Sequence, residues 1–270
     1  MKHVQLFEAF LKGMDKGIFL RLAKSGEVPQ VYQGVTLTSN KRVSSRLYKD
    51  TSVETSKRDL YEFPNKESLI EDTKYMQGSV TQKDIRSLIE LGFIKMHPQV
   101  DLTAYDLILT PQSTSLVLDE IMNVLLNVEP SSAYGPAKTW NPQVIRGAFT
   151  KRTWNEVEWD TELIDRLSNS GTKNEVLKLK ERLTTTKGGE KAKLSGNVIP
   201  RFRKFLKQFM DITPEALSAL AGRKVIILDD FVTDGATRRQ MQRLAVPGGP
   251  QKILNLALFH VVGYKQEDDE

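Results

Sequence analysis

Residues 225–237 read Val225-Ile226-Ile227-Leu228-Asp229-Asp230-Phe231-Val232-Thr233-Asp234-Gly235-Ala236-Thr237, and few arrangements satisfy all of them. Four consecutive apolar side chains need cover on both faces, as in an interior strand of a parallel sheet. Two carboxylates follow at the C-terminal end of that strand. A short polar loop containing Gly235 then leads into a helical run over residues 238–244. In open α/β sheets, ligands bind at the C-terminal ends of the strands. Adjacent acids there can accept hydrogen bonds from vicinal hydroxyls, while loop amides at a helix N-terminus cradle a phosphate. A sugar phosphate carries both groups.

The stretch resembles the phosphoribosyl pyrophosphate (PRPP) motif of type I phosphoribosyltransferases. That pattern is an apolar strand, two acids, two apolar residues, and a hydroxyl- and glycine-bearing loop ending in Thr or Ser. Asp229, Asp230, Thr233, Gly235 and Thr237 fall on matching positions. Asp234 departs from it, standing where a hydroxyl residue usually meets the 5′-phosphate. An anion beside a phosphate needs a cation to offset it, and Arg238 and Arg239 are candidates for that role. The resemblance implies that Asp229 and Asp230 hold the ribose hydroxyls and anchor hydrated Mg²⁺, as the catalytic and metal-binding pair. It also implies that Thr233, Asp234, Gly235, Ala236 and Thr237 line the PRPP phosphate.

A second strand, beginning near Tyr105, breaks at Pro111 into Gln112, Ser113, Thr114 and Ser115, and helical apolar spacing follows over residues 116–126. This is similar to the first strand and pyrophosphate loop of the same family, which implies that Thr110, Gln112, Ser113, Thr114 and Ser115 contact pyrophosphate. A turn that caps a helix through Ser113 or Ser115 reads equally well from the residues alone. A third strand, residues 144–149, ends at Lys151 and Arg152, where family members carry a basic residue facing the pyrophosphate. Exposed basic residues at a strand end also serve solubility alone.

The chain has 270 residues, of which 39% are hydrophobic, enough for a substantial core. Its 39 basic and 34 acidic residues leave a formal net charge of +5. This suits a phosphate-rich ligand without implying nucleic acid. With no cysteine and only three dispersed histidines, thiolate chemistry is excluded and a histidine metal site is disfavoured. No apolar run is long enough to span a bilayer. The reading is a cytoplasmic protein with no membrane partner. Neither an Asp-x-Asp-Gly-Thr phosphatase motif nor a phosphate-binding Walker loop is present.

Along the chain, Val4, Phe7, Phe10 and Leu11 have the spacing of an amphipathic helix, and alternation over residues 31–37 suggests a short strand. Thr81 opens a helix whose buried stripe is Ile85, Leu88 and Ile89, with Gly92 as its expected stop. Residues 88–95 also resemble a helix of winged helix-turn-helix DNA readers, although a packing helix is the plainer reading. Residues 183–191, with three threonines and two glycines, read as a mobile loop. Over residues 197–210, Phe202, Phe205, Leu206 and Phe209 share one helical face, placing Arg201, Arg203, Lys204 and Lys207 outside.

These readings predict an α/β fold with a mainly parallel central sheet and flanking helices. Residues 1–98 are expected as an N-terminal appendage or hood, and residues 99–265 as the phosphoribosyltransferase-like domain. That domain would carry a polar insertion at about 155–200, followed by an acidic tail at 266–270. The resemblance implies a glycosyltransferase of nucleotide metabolism that uses Mg²⁺ and moves the phosphoribosyl group of PRPP to a nitrogenous acceptor. A homodimer is compatible with it. The competing reading is a non-catalytic PRPP- or nucleotide-sensing protein of the same fold, coupled to nucleic acid through the basic segment.

Overall fold

The computed structural model describes residues 36–37, 53–65, 67–78, 80–96, 100–127 and 140–262. The opening amphipathic helix, most of the 31–37 strand and the acidic tail lie outside these residues. Nine strands and seven α-helices are described. They are β1 (Thr36–Leu37), β2 (Glu54–Pro64), α1 (Glu67–Tyr75), α2 (Gln82–Met96), β3 (Leu107–Pro111), α3 (Leu116–Asn127), β4 (Gln143–Lys151), β5 (Glu158–Trp159), α4 (Thr161–Asp165), α5 (Ser170–Lys187), β6 (Leu206–Gln208), β7 (Met210–Ile212), α6 (Pro214–Ser218), β8 (Lys224–Val232), α7 (Ala236–Ala245) and β9 (Lys252–Val262). Among them, no helix is long and apolar enough to cross a membrane.

Seven strands form the main sheet in the order β1-β2-β9-β8-β3-β4-β7. The five from β2 to β4 run parallel, and β1 and β7 cap the two edges in antiparallel sense. The central strands β3, β8 and β9 are covered on both faces, which explains their near-continuous apolar sequences. Ile226 and Leu228 of β8 join one core with α2 and α3. Val225 and Ile227 join the other, with Met241 and Ala245 of α7 and the segment between β4 and β7. The period-two alternation of the strand thus feeds two cores.

The chain leaves β3 through α3 to reach β4 on one side, and leaves β8 through α7 to reach β9 on the other. Right-handed crossovers in opposite directions place the two helices on opposite faces of the sheet. A crevice opens where the directions diverge, at the C-terminal ends of β3 and β8. The sheet is therefore built to bind there.

Four expectations need correction. Residues 54–98, read as part of an appendage, supply β2, α1 and α2 to the main layers. Leu60, Tyr61 and Phe63 of β2 and Ile85, Leu88 and Ile89 of α2 are buried core residues. Gly92 does not stop α2, which continues to Met96. A Cβ at Gly92 would meet the Leu60 side chain at 2.8 Å and Tyr61 at 3.2 Å, so the glycine lets the helix lie close on β2. The Tyr61 hydroxyl donates to the Leu88 carbonyl across the same contact.

The segment 183–191 is largely the end of α5 rather than a free loop. Leu183 is buried, and the hydroxyls of Thr184, Thr185 and Thr186 each donate to the carbonyl four residues back. Backbone bonds from Trp154 to the Glu190 carbonyl and from Ala192 to the Arg152 carbonyl then tie the following turn to the end of β4.

Residues 197–210 depart from the helical reading as well. They form a 3₁₀ turn over Pro200–Phe205 and then β6, which pairs with β5. A three-residue period keeps Phe202 and Phe205 on one face, so the apolar stripe is buried as expected although the element is not an α-helix. Arg203, expected outside, is buried.

Candidate ligand site at the β3 and β8 strand ends

The acid pair lies where the sequence places it. Asp229 and Asp230 end the apolar run of β8 and are both buried. The Asp229 carboxylate accepts the Asp230 amide at 3.0 Å, and the Asp230 carboxylate accepts the Phe231 amide at 2.7 Å. Burial, and then the neighbouring Asp230, push the Asp229 carboxyl up to about 7, with Arg238 acting in the opposite direction. Two carboxylates forced together in a desolvated corner hold a proton until a cation or hydroxyl donors replace it.

Gly235 follows with φ of +77°, a left-handed turn that glycine adopts freely, and α7 begins at Ala236. The residue at the anomalous position does not point to solvent. The Asp234 carboxylate accepts the Ala236 amide at 3.2 Å, taking one of the donors at the start of the helix. It also pairs with the Arg203 guanidinium at 2.8 Å, both side chains being less than a tenth exposed.

The cation that offsets Asp234 therefore comes from Arg203 in the distant 3₁₀ turn. Arg238 pairs with Asp59 of β2, and Arg239 donates to the Asp234 carbonyl at 2.9 Å. Arg203 also donates to the Val198 carbonyl at 3.0 Å and lies 3.4 Å from the Thr233 hydroxyl. With Asp234 turned in, the hollow bounded by Asp229 and residues 231–238 measures about 30 Å³. That is room for about one water molecule.

The loop after β3 lies across the crevice. The Ser113 hydroxyl accepts the Ser115 amide at 3.1 Å, the local cap that the sequence allowed. Gln112, Ser113 and Thr114 are exposed. Ser115 is buried with no hydrogen-bond partner for its hydroxyl. Thr110 is buried and accepts the Gly147 amide at 3.3 Å, which gives it a structural role in β3. That bond spans a bulge: between the pairs Leu109↔Ile145 and Pro111↔Phe149, β4 advances four residues against two of β3. Gly147, at φ of +65°, makes this possible.

Past the bulge, the two basic candidates part. Lys151 is mostly buried. Burial pulls its ammonium below the usual lysine range, Asp229 and Asp230 push it back up, and Lys74 and Lys193 lower it further. It therefore belongs to the field of the acid pair. Arg152 turns away, held bidentately by Asp211 at 2.8–3.0 Å and by Glu158 at 2.6 Å.

Sequence reasoning missed Lys74 of α1. Its ammonium sits 5.5 Å from the Phe231 ring centroid, beside the acid pair, and contributes to the field at Lys151. Lys193, from the segment after α5, reaches Glu71 of α1 at 3.9 Å across the same end of the sheet. Nothing local in sequence signals either residue, because both depend on which helix packs over the strand ends.

Among the described residues, no group of three or more acidic, histidine or cysteine side chains could enclose a metal. Two carboxylates alone suit a hydrated Mg²⁺, which keeps several waters and completes its shell from substrate oxygens.

No protein-family model and no curated protein sequence matches the chain. Among solved structures it is similar to a hypoxanthine phosphoribosyltransferase from Staphylococcus aureus, at 8% identity and a TM-score of 0.33, covering 74% of this chain and 76% of that one. It is also similar to an adenine phosphoribosyltransferase, at 13% identity and a TM-score of 0.35, covering 76% and 86%. A hypoxanthine-guanine phosphoribosyltransferase from Bacillus anthracis aligns at 10% identity and a TM-score of 0.30, covering 70% and 73%. Similarities of this degree carry no functional argument, which rests on the chemistry of the site.

Proposed function

We propose that the chain is a sugar-phosphate-binding α/β protein whose ligand lies across the ends of β3 and β8. Within that class we assign it the binding of PRPP with Mg²⁺ and transfer of the phosphoribosyl group to a nitrogenous acceptor, with release of pyrophosphate. One observation carries the reading. The buried Asp229–Asp230 pair, the Gly235 loop at the start of α7 and Lys151 meet at the switch point of a mainly parallel sheet.

In this reading each group has a distinct task. Asp229 and Asp230 accept hydrogen bonds from the ribose 2′- and 3′-hydroxyls. The amides of residues 235–237 and the Thr233 and Thr237 hydroxyls take the 5′-phosphate, with Arg203 behind them. Lys151, Lys74 and the loop at residues 112–115 face the leaving pyrophosphate. Mg²⁺ held by the acid pair would neutralise the pyrophosphate charge. The bond from C1′ to pyrophosphate breaks ahead of bond formation to the acceptor, so the chain supplies orientation and electrostatics rather than a nucleophile. The position matching the purine-specific acid of some family members is Thr233, a hydroxyl, which leaves the acceptor class open.

Asp234 supports a second reading, a non-catalytic sensor of PRPP or a nucleotide. Its carboxylate takes the Ala236 amide and the Arg203 guanidinium that a 5′-phosphate would use. A ligand must therefore displace it.

Isothermal titration with PRPP, with and without Mg²⁺, tests both readings. Micromolar Mg²⁺-dependent binding that disappears in the Asp229→Asn/Asp230→Asn double variant is expected. Turnover with orotate, uracil, nicotinamide or a purine then separates enzyme from sensor. Wild-type binding that survives the double substitution sinks both.

A further inference from the structure

We infer a second phosphate-binding site at the opposite end of the sheet, independent of the reading above. A cleft of about 220 Å³ opens at the N-terminal ends of β2, β9 and β8, beneath the turn that precedes β3. Arg58, Lys224 and Lys252 line it, with Glu54, Asp101 and the Tyr105 ring completing the wall.

The charges there do not cancel. Glu54 is spent on Lys252, at 2.7 Å. The Asp101 carboxylate accepts the Thr103 amide at 2.9 Å and the Thr103 hydroxyl at 2.6 Å, capping the short 3₁₀ turn. Arg58 and Lys224 are left with no acidic partner among the described residues. The Arg58 Nε is buried and makes no hydrogen bond. A buried guanidinium nitrogen without an acceptor is costly unless a ligand supplies one.

Two unpaired cations, one a planar fork of donors, match a phosphate dianion, free or as a monoester. The volume equals several water molecules at about 30 Å³ each, enough for such a group. Lys224 and Asp229 are five residues apart on β8, about 17 Å along the strand, and the cleft shares no lining residue with the hollow bounded by Asp229 and residues 231–238. It is therefore a separate site rather than an extension of the first.

Residue-resolved NMR of the ¹⁵N-labelled full chain during titration with inorganic phosphate tests this. Amides of residues 54–58, 101–105 and 224 are expected to shift along one saturable curve. Arg58→Gln and Lys224→Gln should each weaken that curve at least fivefold. Arg58→Lys, which keeps the charge, should stay closer to wild type, and residues 233–237 should follow a separate curve that none of these variants moves. Repeating the titration with ribose 5-phosphate assigns the source: tighter binding marks a monoester site, and equal or weaker binding marks a site for the free ion. The proposal is overturned if the cleft amides show no saturable shift, or if their curve is indifferent to both Gln substitutions.

Discussion

Replacing Asp234 with serine should turn a self-occupied phosphate loop into an open one, at a cost in stability that a phosphate can restore. In the native chain, Asp234 and Arg203 form a buried pair at 2.8 Å. Removing one partner of a buried pair leaves an uncompensated charge and costs about 3–5 kcal/mol. For a domain of this size, about 1 kcal/mol shifts the melting temperature by roughly 2–4 °C, so the expected loss is on the order of 10 °C. Phosphate entering the loop would take the freed Ala236 amide and place an anion beside Arg203 again. Differential scanning fluorimetry should therefore show Asp234→Ser recovering most of its loss in millimolar inorganic phosphate, while wild type gains less. The double variant Arg203→Met/Asp234→Ser, lacking both charges, should melt closer to wild type and gain little from phosphate. An Asp234→Ser protein as stable as wild type, or one that phosphate stabilises no more than it does the double variant, would refute the reasoning.

The acid pair makes a pH prediction with a defined sign. Asp229 is raised from the ordinary carboxylate range to about 7 by burial and then by Asp230. The folded state thus keeps a proton that the unfolded chain releases near pH 4, and stability falls as pH rises from about 4 to about 7. The penalty above pH 7 is on the order of 4 kcal/mol. Asp229→Asn should accordingly raise the melting temperature at pH 8, change it little at pH 4, and abolish Mg²⁺-dependent PRPP binding. In wild type, that binding should tighten as pH rises to about 7 and then level off, with proton release detectable by calorimetry in buffers of different ionisation enthalpy. Lys151→Gln should weaken pyrophosphate binding by about ten- to a hundredfold, the loss of one charge-assisted hydrogen bond, without lowering thermal stability. Gly92→Val should cost about 1–3 kcal/mol by overpacking against Leu60 and Tyr61, measurable by urea unfolding.

What was legible in the sequence was local. The run from Val225 to Thr237 carries its strand, its acids, its left-handed glycine and its helix start within thirteen residues, and each follows from short-range physics. The strands ending at Pro111 and Lys151 were legible for the same reason. Arg203 was not, because its spacing among phenylalanines suits a helical surface, whereas the chain forms a 3₁₀ turn and directs the guanidinium inward to a carboxylate thirty-one residues on. Lys74 was hidden by the packing of α1 over the strand ends. The threonine-rich end of α5 looked like a loop because threonine is a weak helix former, and hydroxyl bonds to carboxy-side-facing carbonyls of the preceding turn accommodate it there.

The place of β2 in the sheet also dictates an order of assembly. Its parallel partner is β9, with Glu54 in register with Lys252, so a ladder near the beginning of the chain waits for one near its end. On a ribosome, residues 54–64 emerge long before residues 252–262 exist, leaving a strand edge unpaired and Leu60, Tyr61 and Phe63 uncovered in the meantime. Contacts this distant in sequence also slow folding, because the loop must close before the pairing rewards it. Chains halted before β9 should thus be aggregation-prone and in need of chaperones, even though β3, α3, β4 and β8 are already complete.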